Sequence, residues 1–188
     1  KDCLGPRVNI DYLPFVATST AATEESVENY EKRYDFLYVA SGEVHKNHVK
    51  LLEAWRLISA AGLKPSLALT IDPLSFPALS AEIKKMVEEH ALNITNLGQI
   101  SYEDIAAVYQ SATAVIYPSA SESLGLPLLE AGRYGLPILA PELDYVRDVA
   151  VPVETFDPSS SVSIARAVRR YLGCAEPTVH IRSAEAFL

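Results

Sequence analysis

Basic residues are scarce in this chain, cysteines scarcer still, and long apolar runs are missing. The 188 residues hold 16 Lys and Arg against 24 Asp and Glu, a formal net charge of −8. A chain that acidic has no general attraction for nucleic acid, so any anion it binds must be held by a local set of donors. The two cysteines, Cys3 and Cys174, are far apart and match no metal-ligand spacing. They read as free thiols in a reducing, cytoplasmic compartment. No stretch approaches the roughly 20 apolar residues needed to span a bilayer, and no secretory leader is visible. The chain opens with Lys, in "KDCLGPRVNIDYLPF", and reads as part of a longer polypeptide.

What is present is the composition of an ordinary globular protein, 49% hydrophobic and 21% charged, long enough for one well-buried domain. Residues 1–35 are rich in Ala, Thr, Ser and Glu and read as a connector or domain edge, with a polar helix expected over Glu24–Tyr34. From residue 36 to 188 the pattern becomes that of a single domain in which apolar runs alternate with helical periodicity. Strands are expected at 36–41, 66–71, 94–100, 112–119, 136–141 and, more weakly, 149–156. Helices are expected between them. One carries Val49, Leu52, Trp55 and Leu57/Ile58 and ends near Gly62. Others carry Ile83, Met86, Val87 and Ala91, or run from the capping pair Ser101/Asp104 to about Ser111, and the last covers Ser159–Leu172 with Ile164, Val168 and Leu172 in register. Such alternation predicts an α/β fold, a doubly wound, Rossmann-like parallel sheet of about six strands. Ligands of these sheets bind beyond the carboxyl ends of the strands.

One of those ends is followed by "SESLGLPLLEAGRYGLP", Ser121–Pro137. A short helix is expected from Leu126, with Pro127 in its first turn and Gly135 in the left-handed position that ends it. Its amino end exposes unpaired N–H groups, a ready anion site, and Gly125 leaves out a side chain where a phosphate would approach. Glu122 precedes the helix and Glu130 lies one turn inside it. Helical side chains tilt toward the amino end, so both carboxylates reach the space above the helix start. Acids repel phosphate but accept hydrogen bonds from hydroxyls. A diphosphate flanked by a ribose and a hexose therefore fits the pattern. The bland reading is dipole complementation by Glu130 and a solvated Glu122.

The run "PSASESLGLPLLEAGRYGLPILAP" resembles the signature of retaining glycosyltransferases of the GT-B type, the group 1 class (family 4), over about 36–172. The resemblance implies the donor-binding half of such an enzyme, transferring a hexose from a nucleoside diphosphate sugar to a glycan or lipid-linked acceptor held mostly by a second, amino-terminal domain. It assigns the ribose hydroxyls to Glu130, the donor sugar to Glu122, and the diphosphate and hexose to the amides around Ser123, Leu124, Gly125 and Leu126. It also implies Lys46 on the diphosphate, within "FLYVASGEVHKN". The sequence departs from the family there. The usual Gly-Arg is Ala40-Ser41, so a cation is missing beside the diphosphate unless His45 or His48 supplies it. Gln99 and Ile100, with Ser101, correspond to the segment that meets the nucleobase, and Asp72 follows the second strand with low weight.

No metal is expected, because His and acidic residues do not fall at ligand spacing. Stabilisation of the leaving diphosphate then falls to amides and Lys46. Hydrolysis by paired carboxylates is disfavoured by the anion site beside Glu130. Two alternatives stay open: half of a sugar-nucleotide epimerase, for which no acid/base pair is evident, and a non-catalytic domain that has lost tight donor binding at Ser41. The chain by itself is expected to be inactive without its amino-terminal partner domain, and the full protein to be cytoplasmic or peripheral at the inner face of the membrane.

Overall fold

The computed structural model describes residues 31–174. Six parallel strands, β1 (Tyr34–Tyr38), β2 (Leu67–Leu69), β3 (Ile94–Asn96), β4 (Ala112–Ile116), β5 (Ile138–Pro141) and β6 (Glu154–Phe156), form one sheet in the order β3-β2-β1-β4-β5-β6. Helices α1 (His48–Ala60), α2 (Pro77–His90), α3 (Ile105–Gln110), α4 (Leu126–Arg133), α5 (Asp144–Arg147) and α6 (Ser161–Tyr171) connect and close it. The order reverses between β1 and β4, which pair with Phe36 opposite Ala114. Chains leaving these two strands diverge to opposite faces, and the crevice between them is where such a fold can admit a ligand.

Burial explains the central strands. Phe36, Leu37 and Tyr38 of β1 and Ala114, Val115 and Ile116 of β4 are wholly buried, as strands covered by helices on both faces require. Trp55 of α1 packs edge-on against Phe36, ring centroids 5.5 Å apart. Its indole N–H donates to the Pro65 carbonyl at 3.0 Å. Truncating such an anchored aromatic to Ala costs roughly 3–5 kcal/mol. α6 packs on α1 and is capped by Ser160, whose hydroxyl accepts from the Ser163 amide.

The expected strands run too long at several ends. β3 stops at Asn96 rather than 100 and β4 at Ile116 rather than 119, while β6 begins only at Glu154. Beyond β4, Tyr117 and Ser119 stay buried and the Tyr117 amide still donates to the Leu139 carbonyl at 2.8 Å, whereas beyond β3 Gln99 is exposed. β1 starts at Tyr34, two residues before the expected boundary. Of the polar helix expected over Glu24–Tyr34, residues 24–30 lie outside the described residues, and Glu31–Arg33 is not helical. On α1 the buried face is His48, Leu51, Leu52, Ala54, Trp55 and Ile58, whereas Val49 is 45% exposed. Leu172 lies past the end of α6 and is also exposed. α5 was not expected at all.

Candidate functional site

The loop after β1 forms a short 3-10 turn, Val44–Lys46, and then Asn47 takes the left-handed conformation at φ 63° before α1 begins. The Asn47 side-chain amide donates to the Pro118 carbonyl at 3.0 Å and to the Pro158 carbonyl at 2.7 Å. Loops after β1, β4 and β6 are thus tied by one side chain. Tyr38 adds a hydrogen bond from its hydroxyl to the Lys46 carbonyl at 2.7 Å, and the Ala120 amide donates to the His45 carbonyl at 2.8 Å. Together these bonds fix the backbone that presents Lys46.

The Lys46 ammonium donates to Oε1 of Glu122 at 2.7 Å, with the two side chains only 16% and 10% exposed. The Tyr117 hydroxyl donates to the same oxygen at 2.8 Å. Burial works to raise the Glu122 pKa. Hydrogen bonds, led by that from Lys46, together with the Lys46 charge, outweigh burial and hold the acid below the usual carboxylate range. Glu122 is therefore ionised at neutral pH, with one oxygen already taken.

Glu130 stands in a different setting. It is on the second turn of α4, and its Oε2 accepts from the Tyr109 hydroxyl at 2.7 Å. Tyr109 is wholly buried on α3, and its ring stacks on Tyr134 at 5.4 Å. Burial first, and then the hydrogen bond to Glu130, push the Tyr109 pKa far up, so the phenol stays a donor at any physiological pH.

α4 has Gly125 as its amino cap at φ 69°, and Pro127 in its first turn. A Cβ at Gly125 would lie 3.2 Å from Leu128 and 3.4 Å from the Tyr145 ring. The glycine is thus demanded by its left-handed backbone and by close packing, a reason the sequence reading, which invoked only phosphate approach, had missed. Tyr145, on α5, also donates to the Ser119 carbonyl at 2.8 Å. Gly42 is required for a different reason. A Cβ there would come within 2.4 Å of the Phe76 ring, which folds over it from the loop after β2.

Two adjoining cavities open at this edge. The larger, about 630 Å³, is bordered by Ser41, Gln99, Ile100, Phe76 and Glu130, and the smaller, about 500 Å³, by Tyr117, Glu122, Ser123, Leu124 and Gly125. Lys46, Leu126 and Pro127 line both. The two acids therefore flank a junction marked by a cation and the first turn of a helix, one acid in each chamber.

Several expectations are revised. His48 cannot supply the missing cation. It is 3% exposed against the Tyr38 ring, and burial lowers its pKa to about 4, so it is neutral. His45 is exposed and contributes its carbonyl rather than its ring. Asp72 borders the larger cavity, but its carboxylate is engaged by the Leu74 and Ser75 amides and the Ser75 hydroxyl. Ser41 donates to Glu43. The sequence reading missed Tyr109, Tyr117 and Tyr145. The available signal was that a buried tyrosine must find a partner for its hydroxyl.

The model of the family "Glycosyl transferases group 1" matches residues 19–185. The chain belongs to that family. This glycosyltransferase domain is 33% identical over 88 residues to the serotype-specific mannosyltransferase WbdA of Escherichia coli, a match covering 46% of the chain and 11% of that protein. It is 24% identical to the O-antigen chain mannosyltransferase RfbU of Salmonella typhimurium over 157 residues, 79% of the chain and 41% of that protein. The chain thus spans less than half the length of either relative. In fold, the domain matches the C-terminal domain of a group 1 glycosyl transferase from Francisella tularensis at TM-score 0.63 and 20% identity, covering 76% of this chain and 77% of that one. It also matches Alr3699/HepE of Anabaena, solved with UDP and glucose, at TM-score 0.62 and 16% identity, covering 75% of this chain and 39% of that one. The architecture is that of one Rossmann-like half of a GT-B glycosyltransferase. Among the described residues no helix is long and apolar enough to cross a membrane, and no three His, Cys, Asp or Glu side chains gather as metal ligands would.

Proposed function

We propose that this domain binds a nucleoside diphosphate hexose and, in the whole protein, delivers the hexose with retention to a glycan or lipid-linked acceptor held by a second domain. The observation that carries this reading is the pair of chambers meeting at Lys46 and the start of α4, with Glu130 in one and Glu122 in the other. The larger chamber takes the nucleoside, with Gln99 and Ile100 beside the base and Glu130 accepting from the ribose hydroxyls. The diphosphate lies at the junction. There Lys46 and the amides around Ser123, Leu124, Gly125 and Leu126 stabilise charge as the leaving group departs. Glu122, whose Oε1 takes both the Lys46 and the Tyr117 hydrogen bonds, accepts a hexose hydroxyl in the smaller chamber. The reading needs no resident metal. The names of the relatives favour mannose as the hexose, and those of the structural neighbours favour a UDP-type donor. A cytoplasmic setting, at the inner membrane face when the acceptor is lipid-linked, supplies such a donor.

Calorimetric titration of the chain with UDP, GDP and ADP tests the site. One nucleotide is expected to bind, and both Glu130→Ala and Lys46→Ala are expected to weaken it at least tenfold, the usual scale for losing a charge-assisted hydrogen bond. Binding left intact by both substitutions refutes the placement. No binding at millimolar concentration favours a domain that has lost donor affinity. In the whole protein, the anomeric configuration of the product read by NMR tests retention.

A further inference from the structure

The Glu130 carboxylate is held by a group that the sequence reading did not single out, the Tyr109 hydroxyl. Tyr109 belongs to α3, not to α4, and is wholly buried. Its ring lies nearly parallel to Tyr134, the planes 18° apart. Its hydroxyl, 2.7 Å from Oε2 of Glu130, also lies 3.5 Å from the Pro127 carbonyl. The donor thus comes from a different helix, α3, and is seated against both ends of α4, at Pro127 and at the capping residue Tyr134. A glutamate on an exposed helical turn samples several rotamers, and a fixed phenol at this distance selects one. Oε1 of Glu130 accepts no hydrogen bond from a described residue. The phenol also differs from an ammonium in kind, because it orients the carboxylate without cancelling its charge.

We propose that Tyr109 is the positioning residue for ribose recognition: it occupies Oε2 of Glu130 and leaves Oε1 as the one acceptor for the ribose hydroxyls. This inference rests on the donor-site reading above. Its consequence concerns discrimination rather than affinity in general. A fixed single acceptor rejects a nucleotide lacking both hydroxyls because the acceptor oxygen is then left facing the ligand without a donor.

The test compares UDP, GDP and ADP with their 2′,3′-dideoxy counterparts, by calorimetry, on the parent chain, Glu130→Ala, Glu130→Gln and Tyr109→Phe. For the nucleotide that binds, the parent is expected to favour the ribo form by at least about tenfold. Glu130→Ala and Glu130→Gln should bring that ratio near one. Tyr109→Phe, which removes only the hydroxyl, should cut the ratio several-fold while leaving the dideoxy affinity unchanged. A parental ratio in Tyr109→Phe, or equal weakening of both forms, overturns the positioning role while the Glu130 results leave the donor site standing. A ratio that survives Glu130→Ala, or no binding by the parent, sinks the donor-site reading and the Tyr109 role together. Should Tyr109→Phe not fold, Glu130→Gln decides alone. It keeps an oxygen for Tyr109 but turns an amide donor toward the ligand, so a preserved ratio excludes the single-acceptor arrangement.

Discussion

Both chambers of the cleft hold a glutamate, and each glutamate is held by a tyrosine, yet the two are electrically unlike. On the Glu122 side, the acid is nine-tenths buried and compensated by Lys46. On the Glu130 side, the fixed partner is a neutral phenol, which brings no compensating charge. The lesson is that one chamber is organised by charge neutralisation and the other by orientation. Removing a partner therefore costs stability in the first and selectivity in the second.

The largest effect is expected at Lys46. Lys46→Met leaves Glu122 buried without its cation, and such losses run to about 3 kcal/mol. Chemical denaturation should show this drop, and the double variant Lys46→Met/Glu122→Gln should recover most of it. A stable single variant would break the comparison.

An effect of similar size is expected from His48, which lies beneath the Lys46 loop with neither ring nitrogen hydrogen-bonded. Its pKa falls from 6.5 to about 4 in the folded protein, through burial first and Lys46 in addition. As pH drops, the unfolded chain takes up a proton near 6.5 and the folded one only near 4. Stability should thus decline between those values, by roughly 3 kcal/mol in total, and this contribution is flat below them. His48→Leu should abolish that share of the decline, and an unchanged pH profile of the denaturation midpoint would sink the assignment.

The smallest effect concerns the junction. Ser41 stands where the family usually has an arginine, and restoring Ser41→Arg adds a cation beside Lys46. Nucleotide affinity should rise about five- to tenfold at low salt and less at high salt, as screened charges behave. Calorimetry at two ionic strengths separates this from a change in packing.

Most of the fold could be read from the sequence, because six apolar runs alternating with helical periods leave few other architectures. The reading overran at the carboxyl end of β4 for a physical reason. Tyr117 and Ser119 are as buried as the strand itself, and apolar pattern reports burial, not ladder bonds. α5 escaped because four residues carry no period. Of the site, Glu122 and Glu130 were legible through the spacing of a helix start and the acids around it, and Lys46 only through the family resemblance. The tyrosines were not. A tyrosine within "AVIYPS" reads as core, and only tertiary packing reveals which carboxylate its hydroxyl meets. His48 misled for the converse reason, since a histidine beside a lysine looks like a cation until its burial is known.

Asn47 has one further consequence, for how this loop can change over time. Glycine would keep the left-handed backbone but delete both links to Pro118 and Pro158. Aspartate would keep the size and oppose two carbonyl oxygens with a negative charge. Most other side chains fail at the backbone before their chemistry matters. The position is an isolated point in the mutational landscape, so variation in donor preference within this fold has easier routes through the chamber walls than through the joint that holds them together.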